Sequence, residues 1–229
     1  MQRSFIIASL FAVLLAGCSN PDASANGDTQ MTPGKPQEGG KAYKIAFIPK
    51  GATHEFWKSM QGGADAAAAE NNVELLWKAP LKEDDKAEQI KVVENFTAQK
   101  VDGIVLAPLD QEALRAPVKE AIAAGIPVII VDSGLKDVET TSYIATDNYA
   151  AGKLGGARLA SAVGKGARVI MLRYAEGSAS TMEREKGFMD AAKEAGLVVV
   201  SEEQHAGATR ESAQTASENL LARFKKGDG

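Results

Sequence analysis

A single cysteine, Cys18, stands in a chain of 229 residues, so no disulfide can form within it. Histidine is nearly as scarce. His54 and His205 are the only two, they are far apart, and neither has the HExxH spacing of a zinc hydrolase. No GxxxxGK[ST] loop cradles a phosphate and no GxSxG elbow presents a serine. With 26 Lys and Arg against 30 Asp and Glu, the net charge is -4. That leaves no basic excess to neutralise a phosphate backbone, so no nucleic acid is expected as a partner. Aromatic residues make up only 6% of the chain, which makes the adjacent pair Phe56-Trp57 conspicuous. These absences leave no catalytic constellation, and no enzyme activity, cofactor or metal is expected.

The chain is not short of signals at its start. Phe5 to Ala16 is apolar except for Ser9, behind the single positive charge of Arg3. The run is too short for a membrane-spanning helix and has the length of a signal-peptide core. It ends Leu15-Ala16-Gly17-Cys18, which resembles a bacterial lipobox, with Cys18 as lipid acceptor. Residues 1–18 are therefore expected to be a lipoprotein signal peptide. Residues 19–42, rich in Gly, Pro, Ser, Asn and Asp, are expected to form a flexible tether.

From Tyr43 onward, short apolar runs alternate with helical periodicities. Strands are expected at 44–48, 73–77, 101–106, 126–131 and 143–145. Helices between them include one whose stripe reads Phe56, Met60, Ala64 and Ala67, one capped by Asp84 or Asp85, and one following Asp110. A second series opens with a helix over 148–163 capped by Asp147. It continues with strands at 169–172 and 197–200 and helices at 181–195 and 210–224. Strict strand–helix alternation predicts an α/β fold with parallel sheets in two Rossmann-like lobes, 43–145 and 146–229. The second lobe shows only two clear strands and is expected to be incomplete at Lys225-Lys226-Gly227-Asp228-Gly229. Gly62-Gly63 and Gly155-Gly156 fall inside helical patterns and are expected to serve close packing.

Ligands of open parallel sheets bind beyond the carboxyl ends of the strands, so the residues after each strand are the candidates. Those ends are Pro49-Lys50, Trp77-Lys78, Ala107-Pro108, Asp132-Ser133 and Arg173-Tyr174. Of the aromatic pair, periodicity assigns Phe56 to the core and leaves Trp57 to line a cleft, where a flat ring suits the C–H face of a sugar. Asp132 could accept two hydroxyl hydrogen bonds or cap the turn through Ser133-Gly134. Arg184 lies in a charged helical stretch that solvent alone could explain, though beside a cleft its guanidinium is a fork for a hydroxyl or carboxylate.

Five segments, in order, resemble the type I periplasmic-binding-protein superfamily and its ribose, galactose and xylose group: 44–48, 56–64, 101–108, 125–132 and 144–148. The resemblance runs from Tyr43 to Gly229. It implies two lobes hinged around a ligand, with Phe56, Trp57 and Asp132 touching sugar and His54 in the place of a polar asparagine. Three departures stand out. Ala107 replaces a frequent polar contact, Ser133 replaces an arginine, and Met182 falls where a further arginine is expected, Arg184 matching a neighbouring one. Lys50 ends the first strand as in proteins similar to the autoinducer-2 receptor, where the lysine contacts a furanosyl ligand.

The implied function is capture of a small polar solute outside the cytoplasm, in the periplasm or at the cell surface. The partners expected are a sugar-like ligand, an ABC permease and, through the lipid, the membrane, with the protein a monomer. A receptor for a furanosyl signal is the alternative; a hydrolase has the least support. Lipid attachment makes a direct prediction: Cys18→Ser should move the protein from membrane to soluble fractions, and equal membrane recovery of the variant would contradict it.

Overall fold

The computed structural model describes residues 42–224. The expected signal segment with Cys18, all but one residue of the tether, and residues 225–229 lie outside the described residues.

Seven strands and six helices alternate in this span. The first series is β1 (Tyr43–Ile48), α1 (Glu55–Glu70), β2 (Val73–Trp77), α2 (Lys86–Ala98), β3 (Gly103–Leu106), α3 (Arg115–Ala123), β4 (Val128–Val131) and β5 (Ser142–Ile144). The second is α4 (Asn148–Val163), β6 (Arg168–Ile170), α5 (Ala179–Glu194), β7 (Val198–Ser201) and α6 (Arg210–Leu221). The α/β class with parallel sheets follows the sequence pattern closely. Local chemistry sets several ends: Asp85 accepts from the Glu88 N–H at the start of α2, and Asp147 accepts from the Ala150 N–H at the start of α4. Asp110 does not cap α3 directly. It accepts from the backbone N–H groups of Glu112 and Ala113, closing a turn that delays the helix to Arg115.

Strands β1 to β5 form one parallel sheet in the order β2-β1-β3-β4-β5. In this order the chain winds both ways from β1, so a crevice opens between the carboxyl ends of β1 and β3. Alternation along the strands builds two cores. Ala46, Ile48, Ile104, Leu106, Val128 and Ile130 face α2 and α3, burying Val92, Val93, Phe96 and Val118. Phe47, Ala107 and Val131 face the other way and pack with Trp57, Met60 and Ala64 of α1. Phe47 stacks on Trp77 with ring centroids 4.6 Å apart.

Among the described residues the second sheet holds β6 and β7, parallel, with Arg173 and His205 forming one further bridge beyond them. The helices α4 and α5 meet backbone to backbone. A Cβ on Gly152 would lie 2.0 Å from the Arg184 carbonyl oxygen, and one on Gly187 would lie 2.0 Å from that of Tyr149. Gly156 is constrained less tightly, a Cβ there falling 2.8 Å from that of Ala191 and 2.9 Å from the Phe188 carbonyl oxygen, as expected for close packing. Gly155, Gly62 and Gly63 are not: each faces open space.

Candidate functional site

The site lies where the carboxyl ends of the first sheet meet the loop between β6 and α5. Lys50, the second residue after β1, is only 4% exposed. Its Nζ donates to Ser178 Oγ at 3.2 Å and to Ser180 Oγ at 3.3 Å, and pairs with Asp132 Oδ2 at 3.2 Å. Burial pushes the Lys50 ammonium below its usual pKa, and the nearby charge of Asp132 offsets part of that shift. Asp132 follows β4 with φ at 62°, a left-handed conformation that aspartate tolerates better than most side chains. This turn aims its carboxylate at Lys50. The next residue, Ser133, is fully buried, and its Oγ accepts from the Ser180 N–H at 3.0 Å. The first turn of α5 is thereby docked onto the end of β4.

A second carboxylate organises the neighbouring wall. Glu83, in the loop between β2 and α2, accepts from the Trp57 indole N–H and from the Tyr174 hydroxyl at 2.8 Å, with His54 Nε2 3.6 Å away. Its side chain is only 10% exposed. Burial first, and then the charge of Glu83, pushes the Tyr174 phenol far above its ordinary pKa, so it stays a hydrogen-bond donor. A third contact completes the seam. Gln111 N–H donates to the Gly177 carbonyl, and Asp110 pairs with Lys86 against the same turn. Gly177 has φ at 90°, and a Cβ there would strike the Asp110 carboxylate, so the loop can seat only with glycine at this point.

The sequence candidates fall into separate places. Lys50, Asp132 and Ser133 converge. Phe56 and Trp57 exchange the roles expected of them. Helix α1 begins at Glu55 with His54 as its N-cap, which turns Trp57, Met60, Ala64 and Ala68 toward the sheet. Trp57 is 4% exposed and lies in the core, presenting only its N–H to Glu83. Phe56 is 55% exposed and meets Trp57 edge-on at 4.8 Å. Ala67, expected on the buried stripe, is exposed. His54 lies beside Glu83 at the rim. Arg184 lies near enough for its charge to act on Lys50, but its Nε donates to Asn148 Oδ1 at 2.7 Å, tying α5 to the start of α4. Sequence reasoning missed Glu83, Ser178 and Ser180 as site residues. Glu83 sits in a charged loop that reads as solvated surface. Ser178 and Ser180 could have been found by extending the strand-end rule past Tyr174.

Chemically, this is a hydrogen-bonding surface: two carboxylates, one ammonium, serine hydroxyls and a phenol, with the central charges paired. Residues 45–228 match the model of the periplasmic binding protein domain. The chain belongs to that family. Among its relatives, the ribose import binding protein of Bacillus subtilis is 29% identical over 219 residues, covering 94% of this chain and 68% of that protein. The D-ribose/D-allose-binding protein of Pseudomonas aeruginosa is 31% identical, covering 88% and 63%. A solved carbohydrate transporter solute binding protein from Agrobacterium radiobacter, in complex with D-arabinose, superposes with a TM-score of 0.76 at 28% identity, covering 80% of this chain and 64% of that one. The chain thus spans 63–68% of the length of these relatives. These periplasmic binding proteins are named for what they bind and not for a reaction. The type I fold expected from the sequence is that of these neighbours.

The buried cation of this binding protein makes a pH prediction. Because the folded-state pKa of Lys50 lies below the ordinary lysine value of 10.5, the unfolded chain holds the proton more tightly. Stability from this group therefore rises with pH up to 10.5 and falls away as pH drops through the folded value. Tyr143 and Tyr174, whose phenols are pushed up, titrate in both wild type and a Lys50→Met variant and cancel in a comparison. The difference in unfolding free energy, wild type minus Lys50→Met, should grow as pH rises from neutral. A difference independent of pH would show that Lys50 is not desolvated.

Proposed function

We propose that this chain is the ligand-recognising part of an extracytoplasmic solute-binding protein that captures a neutral polyhydroxylated solute, a monosaccharide, for an ABC importer. In this reading residues 43–145 and 146–229 are two lobes that move about the crossing near Thr146. The protein works as a monomer in the periplasm or at the cell surface, anchored to the membrane by lipid on Cys18. The observation that carries the reading is the convergence of Lys50 and Asp132 from the first sheet with Ser178 and Ser180 from α5. The two serine hydroxyls stand 3.2 and 3.3 Å from the ammonium. They occupy the positions that ligand hydroxyls would take when the lobes part and close again on solute.

Charge selects a neutral ligand. Lys50 is already matched by Asp132, and Glu83 and Arg184 add one charge of each sign nearby, so an acidic sugar would bring an unmatched negative charge into a desolvated place. Hydroxyls, by contrast, can donate to Asp132 and accept from Lys50. Closure is driven by the free energy with which ligand prefers the closed arrangement. Relatives named for ribose and allose, and a solved neighbour in complex with D-arabinose, support this class of ligand. The central place of Lys50 also favours a second reading, a receptor for a furanosyl signal.

A thermal-shift screen with pentoses, hexoses, sugar alcohols, a furanosyl autoinducer and the matching uronic acids tests the proposal, since bound ligand raises the unfolding temperature by mass action. A neutral sugar should raise it more than its uronic acid does. Asp132→Ala should then weaken that sugar by roughly tenfold to a hundredfold. A preference for the uronic acid, or affinity untouched by Asp132→Ala, would contradict the proposed site.

A further inference from the structure

An ammonium has three donors, and the chain itself supplies an acceptor for each: Asp132 Oδ2 at 3.2 Å, Ser178 Oγ at 3.2 Å and Ser180 Oγ at 3.3 Å from Lys50 Nζ. With Lys50 only 4% exposed, no donor is left over for a solute hydroxyl. A solute cannot add to this arrangement; it has to displace the serines. The serines stand there instead of in their usual local role. Ser178 is the N-cap of α5, with an extended backbone (φ -76°, ψ 102°) suited to capping, yet its side chain makes no capping bond. Its hydroxyl goes to Lys50. The N–H of Ser180, the second residue of the helix, is one that an N-cap oxygen ordinarily serves. Here it donates to Ser133 Oγ at 3.0 Å. The turn therefore has two ways to satisfy the same groups. Docked on the first sheet, the Ser180 N–H uses Ser133 and the Ser178 hydroxyl uses Lys50. Undocked, Ser178 Oγ can cap the Ser180 N–H directly, and Lys50 is freed. Undocking leaves that backbone donor of α5 satisfied, so the two forms are close in energy.

We propose that residues 176–180 are a built-in competitor for the solute: the turn and the sugar exclude one another at Lys50, and sugar enters only when the turn has passed from its docked to its capped form. The inference rests on the proposed sugar-binding function and adds to it the regulation of the site. The docked form is also held from outside the Lys50 position. Gln111 N–H donates to the Gly177 carbonyl at 2.9 Å, and Lys86 Nζ donates to the Glu176 carbonyl at 3.4 Å. The apparent association constant is then the intrinsic one multiplied by the fraction of molecules with the turn undocked. Competition also filters ligands. A solute must bring two hydroxyls placed to replace both serines, because a lone hydroxyl leaves Lys50 with an unmatched donor in a desolvated place.

The test is titration calorimetry on the full chain with D-ribose, D-allose and D-arabinose. Ser180→Ala removes an acceptor from the docked form and nothing from the capped form, which uses only the backbone N–H of that residue. It should bind sugar roughly tenfold more tightly than wild type, with faster association. Ser178→Ala loses the docked bond and the cap together, and should change affinity less. Lys86→Met cuts a tie to the turn away from the Lys50 position, and should tighten binding in the same direction as Ser180→Ala. Weaker binding by Ser180→Ala would show that its hydroxyl touches the sugar, and unchanged binding that the turn does not compete. Either result would overturn the competitor and leave the proposed function standing. If Ser180→Ala does not unfold cooperatively, Lys86→Met decides alone, and affinity equal to or below wild type overturns the competitor. No binding of any of the three sugars by wild type or variants would contradict the function itself, and the competitor with it.

Discussion

A positive charge taken out of water must find acceptors, and Lys50 is that charge in this protein. Its position is dictated by topology: it follows the central strand β1 at the crevice of a doubly wound sheet. Removing an ammonium from water is expensive unless nearly every donor is matched. Asp132 supplies the counter-charge, at the cost of a left-handed backbone, and Ser178 and Ser180 supply the remaining acceptors from more than a hundred residues away. The meeting of the two sheets is therefore selective. The loop before α5 fits there because it offers hydroxyls to a buried cation.

The rest of the seam follows from that demand. Once Ser178 and Ser180 are drawn to Lys50, the loop ahead of them must pass over Asp110, and only glycine at 177 lets it do so. Tyr174 then reaches Glu83, which Trp57 already holds from below. Behind the loop, α5 is fixed against α4 by the glycines at 152, 156 and 187, where side chains would separate the helices. Arg184 clamps the same pair through Asn148. A small polar contact at the strand ends is thus backed by close helix packing, which holds the serine hydroxyls in register.

Much of the fold was legible because its signals are local. The apolar strands β1, β3 and β4, the cap of α4 by Asp147, the cap of α2 by Asp84 or Asp85, and the alternation of elements all read directly from residue spacing. The aromatic pair was misassigned for a physical reason. Moving the sheet-facing position by one residue turns the helix by about a quarter-turn, and in α1 that position is Trp57 rather than Phe56. The stripe Trp57-Met60-Ala64-Ala68 was as available as the one through Phe56, and the breadth of Trp57 over the sheet decides between them. Lys50, Asp132 and Ser133 were found through the strand-end rule. Glu83 was not, because nothing in a run of charged residues tells which one a distant tyrosine will cover. Arg184 was placed on the right helix, but its partner Asn148 depends on how closely α4 and α5 approach.

The proposed closure of two lobes on solute requires that the contact between the two sheets be strong enough to form and weak enough for a ligand to replace. Hydroxyls around an ammonium meet that requirement, since solute hydroxyls can exchange for serine hydroxyls with little change in electrostatics. Backbone hydrogen exchange tests the dependence of the seam on Lys50 most directly. In Lys50→Met, the amides of residues 178–182 should exchange markedly faster than in wild type, with those of Val92 and Val93 in α2 unchanged. Unaltered protection at 178–182 would show that the two sheets are held together by something other than the buried cation.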